Sequence, residues 1–443
     1  MKTLKRIGLG LLTLLALLAI WIAVNSIDDR ELSEQAKEML KPVPEVPLEE
    51  NGFNDIAYLN IDNFKVFTNG QEEKTNKAIR GEEWDSAFID QLLLDKEKIV
   101  EDAITSTQKP RFKFPAPANT YDLPSFTKYN QVANVLLLKT ESTARHSDLN
   151  GSIRLYGINI KFCRNIMTEE DHYLISWMIG LYCTSDALFS IHHFVANNKL
   201  SKNQLKILNE SLETIRPYQS DDFHDVFRSE FQFAYRVLND NINKPFKERF
   251  QFAKDLGSPF FYKVAFFPKY FFHPNSTLNK NVSVFITSQN DVQHFCNNLK
   301  TRDEYKLLNA QEEKFSFLRK DDVGWNWTPY FERRCLAHTY FDAVTAIVAI
   351  QAYQRDHQAL PATLNELVPE YLDKLPIDYF NGETLKYSRE HKWLYSVGTD
   401  YKDDGGSESG YTRGRCYHPD EKNRCDTNPT FPIDWNDYPA SVR

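Results

Sequence analysis

LAHTYFDAVTAIVAIQAYQRDH, residues 336–357, sets Leu336, Tyr340, Val344, Ile347, Val348 and Ala352 at helical spacing. Apolar residues recurring three and four apart mark one face of a helix. That helix should begin near Phe331 and run to about His357. Pro361 then opens a short helical piece, LPATLNELVPEYL, stopped by Lys374-Leu375-Pro376. TLKYS (384–388) and KWLYSVG (392–398) have the period-2 character of strands, and a glycine- and acid-rich loop, TDYKDDGGSESG (399–410), follows. A long helix feeding a small antiparallel sheet, behind a chain that otherwise reads as helix, predicts an α+β protein that is mostly α.

Upstream, the punctuation divides the chain. Residues 28–41 read as helix until KPVPEVP (41–47) imposes an extended linker, because proline fixes φ and lacks an N–H. Residues 72–107 read as helix, and QKPRFKFPAPANTYDLP (108–124) as extended chain. From about 127 to 257 helix follows helix, with short polar turns. Residues 127–147 and 152–166 flank Asp148-Leu149-Asn150-Gly151, a turn signal that outlines an antiparallel helical hairpin. GSPFFYKVAFFPKYFFHP (257–274) is strongly aromatic and broken by Pro259, Pro268 and Pro274; it reads as a core segment in preference to a surface patch for a membrane or partner. The expected domains are 1–27 (cytoplasmic stub and anchor), 28–126 (linker and mixed helical segment), 127–330 (helical domain) and 331–443 (C-terminal module).

The N-terminus supplies an address. Ile7 to Val24, IGLGLLTLLALLAIWIAV, carries no charge. At about 1.5 Å per residue it is just long enough for a hydrocarbon core of roughly 30 Å. Lys2, Lys5 and Arg6 precede it, and Asp28 and Asp29 follow. The basic end should stay in the cytoplasm, which sends the rest across. The rival reading is a cleaved signal peptide, but IAVNS after Trp21 is a poor cleavage site. No cysteine follows the run, which argues against a lipoprotein anchor. The expectation is an uncleaved signal-anchor through residues 7–24 in a bacterial inner (plasma) membrane, with the bulk periplasmic or extracellular.

The formal net charge of −8 makes nucleic acid an improbable partner. The six cysteines, Cys163, Cys183, Cys296, Cys335, Cys416 and Cys425, suggest disulfides outside the cytoplasm. Sequence does not choose among their pairings. Cys416 and Cys425 share a polar loop and are the best candidates for a local bridge. No C-x-x-C occurs, so neither a zinc ribbon nor a thioredoxin-type site is supported.

Taken in order, AIQAYQRDHQALP (349–361), LNELVPEYLDKLPIDYFNGETLKY (364–387) and WLYSVGTDYKDDGG (393–406) resemble the C-terminal half of the major pseudopilin of type II secretion systems. The resemblance covers Ala343 to Gly406. A wider group of bacterial envelope proteins, with an N-terminal anchor, a helical middle and this same C-terminal pattern, also looks similar; EENGF (49–53) fits that group loosely. The pseudopilin resemblance implies calcium, wrapped by the loop after the last strands. Asp400, Asp403 and Asp404 would supply carboxylates and Val397 a backbone carbonyl, with Gly405-Gly406 letting the chain fold around the ion. Asp420, Asp426 and Asp434 are the candidates for a closing acid. The competing reading is a solvated acidic turn, and a disulfide between Cys416 and Cys425 is an alternative staple. The prepilin processing motif is absent: Gly8 and Gly10 are followed by Leu, and no Glu lies in the apolar run. The chain is therefore not expected to be a processed, polymerising pseudopilin.

Enzyme signatures are few. G-x-S-x-G, H-E-x-x-H, the Walker loop and G-x-G-x-x-G are all missing. His192 and His193 are adjacent on a helix and face different ways, so a shared metal is not expected. Thr168 before Glu169, Glu170 and Asp171, and Ser220 before Asp221, Asp222 and Asp225, read as helix starts. The whole points away from an enzyme, to a membrane-anchored extracytoplasmic scaffold or binding protein whose partner is an envelope or secretion-system protein. The alternatives are an anchored hydrolase with its site in the helical domain, and an accessory component of a secretion system.

Overall fold

The computed structural model describes residues 13, 15–17, 31–42, 44–68, 70–115, 125–168, 173–214, 226–233, 235–236, 279, 282, 328–412 and 428–438. The chain divides into two compact units. One joins residues 1–42, 227–291 and 303–326; the other joins 43–226, 292–302 and 327–443.

Of the apolar N-terminal run, Thr13, Leu15, Ala16 and Leu17 are described, and all four are helical. Leu15 and Leu17 leave 54% and 59% of their surface exposed. In the same unit, α1 (Glu34–Met39) is shorter than the expected 28–41 because Ser33 takes the cap position, its Oγ accepting from the Ala36 N–H. Asn279 bonds Ser33 and Glu31, and Gln232 donates to the Met39 carbonyl.

The second unit begins with a 3-10 helix, Gly52–Asn60. The single helix expected over 72–107 is three: α2 (Gln71–Ile79), α3 (Ser86–Asp95) and α4 (Glu97–Gln108). Gly81 turns the chain after α2, Asp85 caps α3, and Lys96 separates α3 from α4. Residues 111–115 form no helix, and Arg111 makes an isolated β-bridge with Asn51. Asn51 clamps this segment, accepting from the Lys113 N–H and donating to the Lys113 carbonyl, both at 2.9 Å. Phe112 and Phe114 thereby enter an edge-to-face aromatic core with Phe53, Phe126 and Tyr129.

The helical hairpin forms as expected, from α5 (Phe126–Arg145) and α6 (Leu149–Thr168). Its turn is tighter than the four-residue signal, because Asp148 accepts from the Gly151 N–H at 2.8 Å and starts α6 at once. Thr168 ends α6 instead of capping the next helix; α7 (Leu174–Asn197) starts after Tyr173. Glu169–His172 and the acidic run after Ser220 lie outside the described residues, as does the aromatic stretch 257–274. The seam between α6 and α7 closes at Gly180, where a Cβ would stand 2.6 Å from Met167 Cβ and 2.8 Å from the Cys163 carbonyl. Only glycine allows that approach.

After α8 (Lys202–Thr214), the helix expected from near Phe331 to His357 is α9, Thr328–His357. Every residue from Arg334 to Ile350 is buried, so the helix is covered all round, beyond the stripe its spacing suggested. It packs on α7 and α8. By length and composition α7 and the 332–357 part of α9 are apolar enough to span a membrane, but their most apolar windows are 67% and 94% buried in protein. They are read as core helices. The helix expected at 360–372 reduces to one 3-10 turn, Leu364–Leu367, closed by a Thr363/Glu366 capping box. Pro369 has no N–H to continue it.

The strands are β1 (Lys386–Ser388), β2 (Trp393–Tyr395) and β3 (Thr430–Pro432), an antiparallel sheet in the order β1-β2-β3. Tyr387 pairs with Leu394, and Leu394 with Phe431. Buried polar groups tie this sheet to α9. Asp342 accepts from the Ile377 N–H at 2.7 Å and Thr339 from the Tyr379 N–H at 3.0 Å. Asp378 then accepts from Ser396 Oγ and the Val397 N–H, each at 2.8 Å. Burial pushes the Asp378 carboxyl up, against the pull of those donors. One apolar cluster runs from Leu188 and Ile191 on α7 through Val344 and Ile347 on α9 to Leu394 and Phe431 in the sheet.

Candidate functional site

Leu137, Glu141 and Ala144 are spaced four and three along α5, so the acid stands on an apolar face. It is only 6% exposed. A buried carboxylate needs donors, and two other helices provide them. Tyr156 on α6 donates its hydroxyl to Glu141 Oε1 at 2.7 Å. Ser190 on α7 donates to the same oxygen at 2.6 Å, and the two hydroxyls are 2.9 Å apart. His193, one turn beyond Ser190, brings Nδ1 to 3.8 Å. One carboxylate thus gathers α5, α6 and α7.

Burial alone would raise the Glu141 carboxyl. His193, Ser190 and Tyr156 together outweigh it and hold the group below the usual carboxylate range, so it is ionised at neutral pH. Burial, and then the Glu141 charge, push the Tyr156 hydroxyl well above its ordinary value, which keeps it a donor. Nucleophilic catalysis needs a hydroxyl bonded to a base that is itself oriented by a third group. Here the order is hydroxyl, carboxylate, imidazole: Ser190 donates to Glu141, and His193 pairs with that same acid instead of standing between the two. The bonds of the cluster fasten three helices.

His192 faces the other way, as its position beside His193 requires. Its Nε2 donates to the Ile433 carbonyl at 3.1 Å, since a carbonyl only accepts. Nδ1 is buried with no hydrogen-bond partner. Burial lowers this imidazole to about 4, only partly offset by Ile433 and Asp434. Trp435 covers both histidines, its ring 6.0 Å from His192 and 4.8 Å from His193. Phe189 and Tyr438 complete that aromatic plug.

The acidic loop after β2 disperses its charges. Asp400 Oδ1 accepts from the Lys402 N–H at 3.1 Å, and Oδ2 stands 3.9 Å from Lys402 Nζ. Asp403 Oδ1 accepts from the Tyr395 hydroxyl at 3.0 Å and the Gly405 N–H at 3.2 Å. Asp404 offers its N–H to Asn428, and the Val397 carbonyl also accepts from Asn428. Gly405 and Gly406 take positive φ, 86° and 71°, as a loop folding back requires. Of the three closing acids, Asp434 accepts from the Asn436 N–H at 2.9 Å, and Asp420 and Asp426 lie outside the described residues. Among the described residues no three His, Cys, Asp or Glu side chains converge in a way that holds a metal. The described oxygens of Asp400, Asp403 and Val397 are engaged in hydrogen bonds within the loop and to Asn428.

Cys163 and Cys183 are free and buried on the α6–α7 seam. Their thiols donate to Asn159 Oδ1 and Asn130 Oδ1, at 3.6 and 3.2 Å. Burial, and then neighbouring Cys183, push the Cys163 thiol well up, which makes it unreactive. Cys335 is disulfide-bonded. Cys296, Cys416 and Cys425 lie outside the described residues.

One cavity of about 240 Å³ lies among Lys202, Asn209, Glu370 and Tyr371, and an open trough of about 670 Å³ runs along Glu72, Asn76 and Arg80. Neither is lined by Glu141, Tyr156, Ser190 or His193. The Glu141 cluster escaped the sequence reading because its members lie 15, 49 and 52 positions apart, on three helices. The face shared with Leu137 and Ala144 was the available signal. Comparison with protein-family models, with curated proteins and with solved structures found no match to the chain.

Proposed function

We propose that this chain is a membrane-anchored extracytoplasmic scaffold or binding protein. Residues 7–24 hold it in a bacterial inner membrane. Its C-terminal module, of the pseudopilin kind, meets a protein partner of the envelope or of a secretion system. The observation that carries the non-enzymatic reading is the Glu141 cluster, where acid, hydroxyl and imidazole groups converge. Its hydrogen bonds are spent between helices, with Glu141 and Ser190 buried. The order of long helix, 3-10 turn, two strands, acidic loop and third strand supports the module.

The rival is an anchored hydrolase, and one experiment separates the two. The full chain, purified in detergent, is offered ester, phosphoester, glycoside and peptide substrates beside His193→Ala and Glu141→Gln. The scaffold reading expects the three proteins to give the same background rate. Turnover by the wild type that disappears in His193→Ala, with its melting unchanged, would establish the hydrolase and remove the scaffold.

A further inference from the structure

Asn428 stands two residues before β3 and is 3% exposed. Its Nδ2 donates to the Val397 carbonyl at 3.1 Å and to the Lys402 carbonyl at 2.7 Å. Its Oδ1 accepts from the Asp404 N–H at 2.7 Å. Its own carbonyl accepts from Thr430 Oγ1 at 2.8 Å, which fixes the residue to the start of β3. A side-chain amide has two N–H donors and one acceptor oxygen, and here both kinds are used. Three backbone groups from three places in the loop meet on one buried side chain.

A calcium ion makes the opposite demand. It needs a shell of six to eight oxygens at about 2.3–2.6 Å. Nitrogen-bound hydrogens face the Val397 carbonyl, the one the pseudopilin resemblance offers to the ion, and the Lys402 carbonyl beside it. The nearby carboxylates are turned to other tasks: Asp400 to Lys402, and Asp403 to Tyr395 and Gly405.

We propose that the Asn428 amide is the cross-link of the acidic loop, doing with three hydrogen bonds what a bound cation does elsewhere, so that the loop closes without metal. This holds independently of the scaffold reading, since it rests on loop geometry alone. Asn428→Asp is the informative change. It replaces two donors by an oxygen and a negative charge facing two carbonyl oxygens, an arrangement that a cation can bridge.

Cleavage after Lys402 by trypsin, followed by mass spectrometry on the full chain in detergent, reads the loop directly. The wild type should be cut at the same rate in EDTA and in millimolar calcium. Asn428→Ala should be cut about fivefold faster in both, the factor given by the loss of about one net hydrogen bond. Asn428→Asp should be cut faster in EDTA and be protected by calcium. Calcium protection of the wild type would overturn the proposal without any variant. So would wild-type cleavage rates in Asn428→Ala, or an Asn428→Asp protein that matches the wild type in EDTA.

Discussion

Replacing Glu141 by alanine is expected to lower the unfolding free energy of the second unit by roughly 3–5 kcal/mol. The variant loses two short hydrogen bonds to an ionised carboxylate, from Tyr156 and Ser190. Bonds to charged groups contribute about 1.5–3 kcal/mol each, more than neutral ones. It also leaves space where the side chain stood between α5, α6 and α7. Part of the loss is recovered, because the Tyr156 and Ser190 hydroxyls are 2.9 Å apart and still bond each other. Glutamine should cost less, since it keeps one acceptor oxygen, although its amide N–H groups meet hydroxyls already acting as donors. Denaturant unfolding followed by tryptophan fluorescence measures this, with each unit's transition read separately. Trp177 on α7 is a buried reporter in the same unit. A Glu141→Ala transition coincident with wild type would show that the cluster holds nothing together.

Acidification should destabilise the same unit through His192. His192 is held neutral in the folded state, lowered from 6.5 to about 4, chiefly by burial. The unfolded chain takes up this proton first, so stability is full above about pH 6.5 and declines as pH falls toward 4, by about 1.4 kcal/mol per unit. The total is about 3 kcal/mol. Glu141 acts lower on the scale. Its folded carboxyl is depressed, so its contribution is present above the unfolded value of 4.5 and is lost as pH falls through the folded one. The His192 window is therefore the one that opens in mildly acidic conditions. Urea midpoints measured from about pH 7.5 to about pH 4.5 should slope downward in the wild type and flatten in His192→Gln, which cannot charge. Equal slopes in the two proteins would assign the acid sensitivity elsewhere.

What could be read from the sequence was local. The α5–α6 hairpin was visible because Asp148 and Gly151 sit three apart at the turn, and the side chain of one caps the helix that holds the other. α9 and the strand pair were visible through periodicity. The breaks at Gly81 and Asp85 were equally local and went unread within a long polar helical pattern, which is why one expected helix is three. Pro369 carried the same kind of warning for the segment after Pro361. The rest depended on partners far apart in the chain. Glu141 gives no sign in VLLLKTESTAR that Tyr156, Ser190 and His193 will surround it. Asn428 lies outside the acidic run it closes, 24 positions beyond Asp404 and 31 beyond Val397. The sequence pattern drew the eye to the carboxylates, while the buried amide that organises the loop had no local signature.

The proposed anchor is residues 7–24, with the bulk of the chain outside the cytoplasm. Protease added to intact bacterial spheroplasts expressing the full chain tests it most directly, read with antibodies against each end after an alkaline wash of the membranes. The anchored reading predicts that the chain stays in the washed membranes, that external protease destroys the C-terminal epitope, and that the N-terminal stub survives. Release into the soluble periplasmic fraction would contradict the anchor, and survival of the C-terminal epitope until the membrane is broken would contradict the orientation.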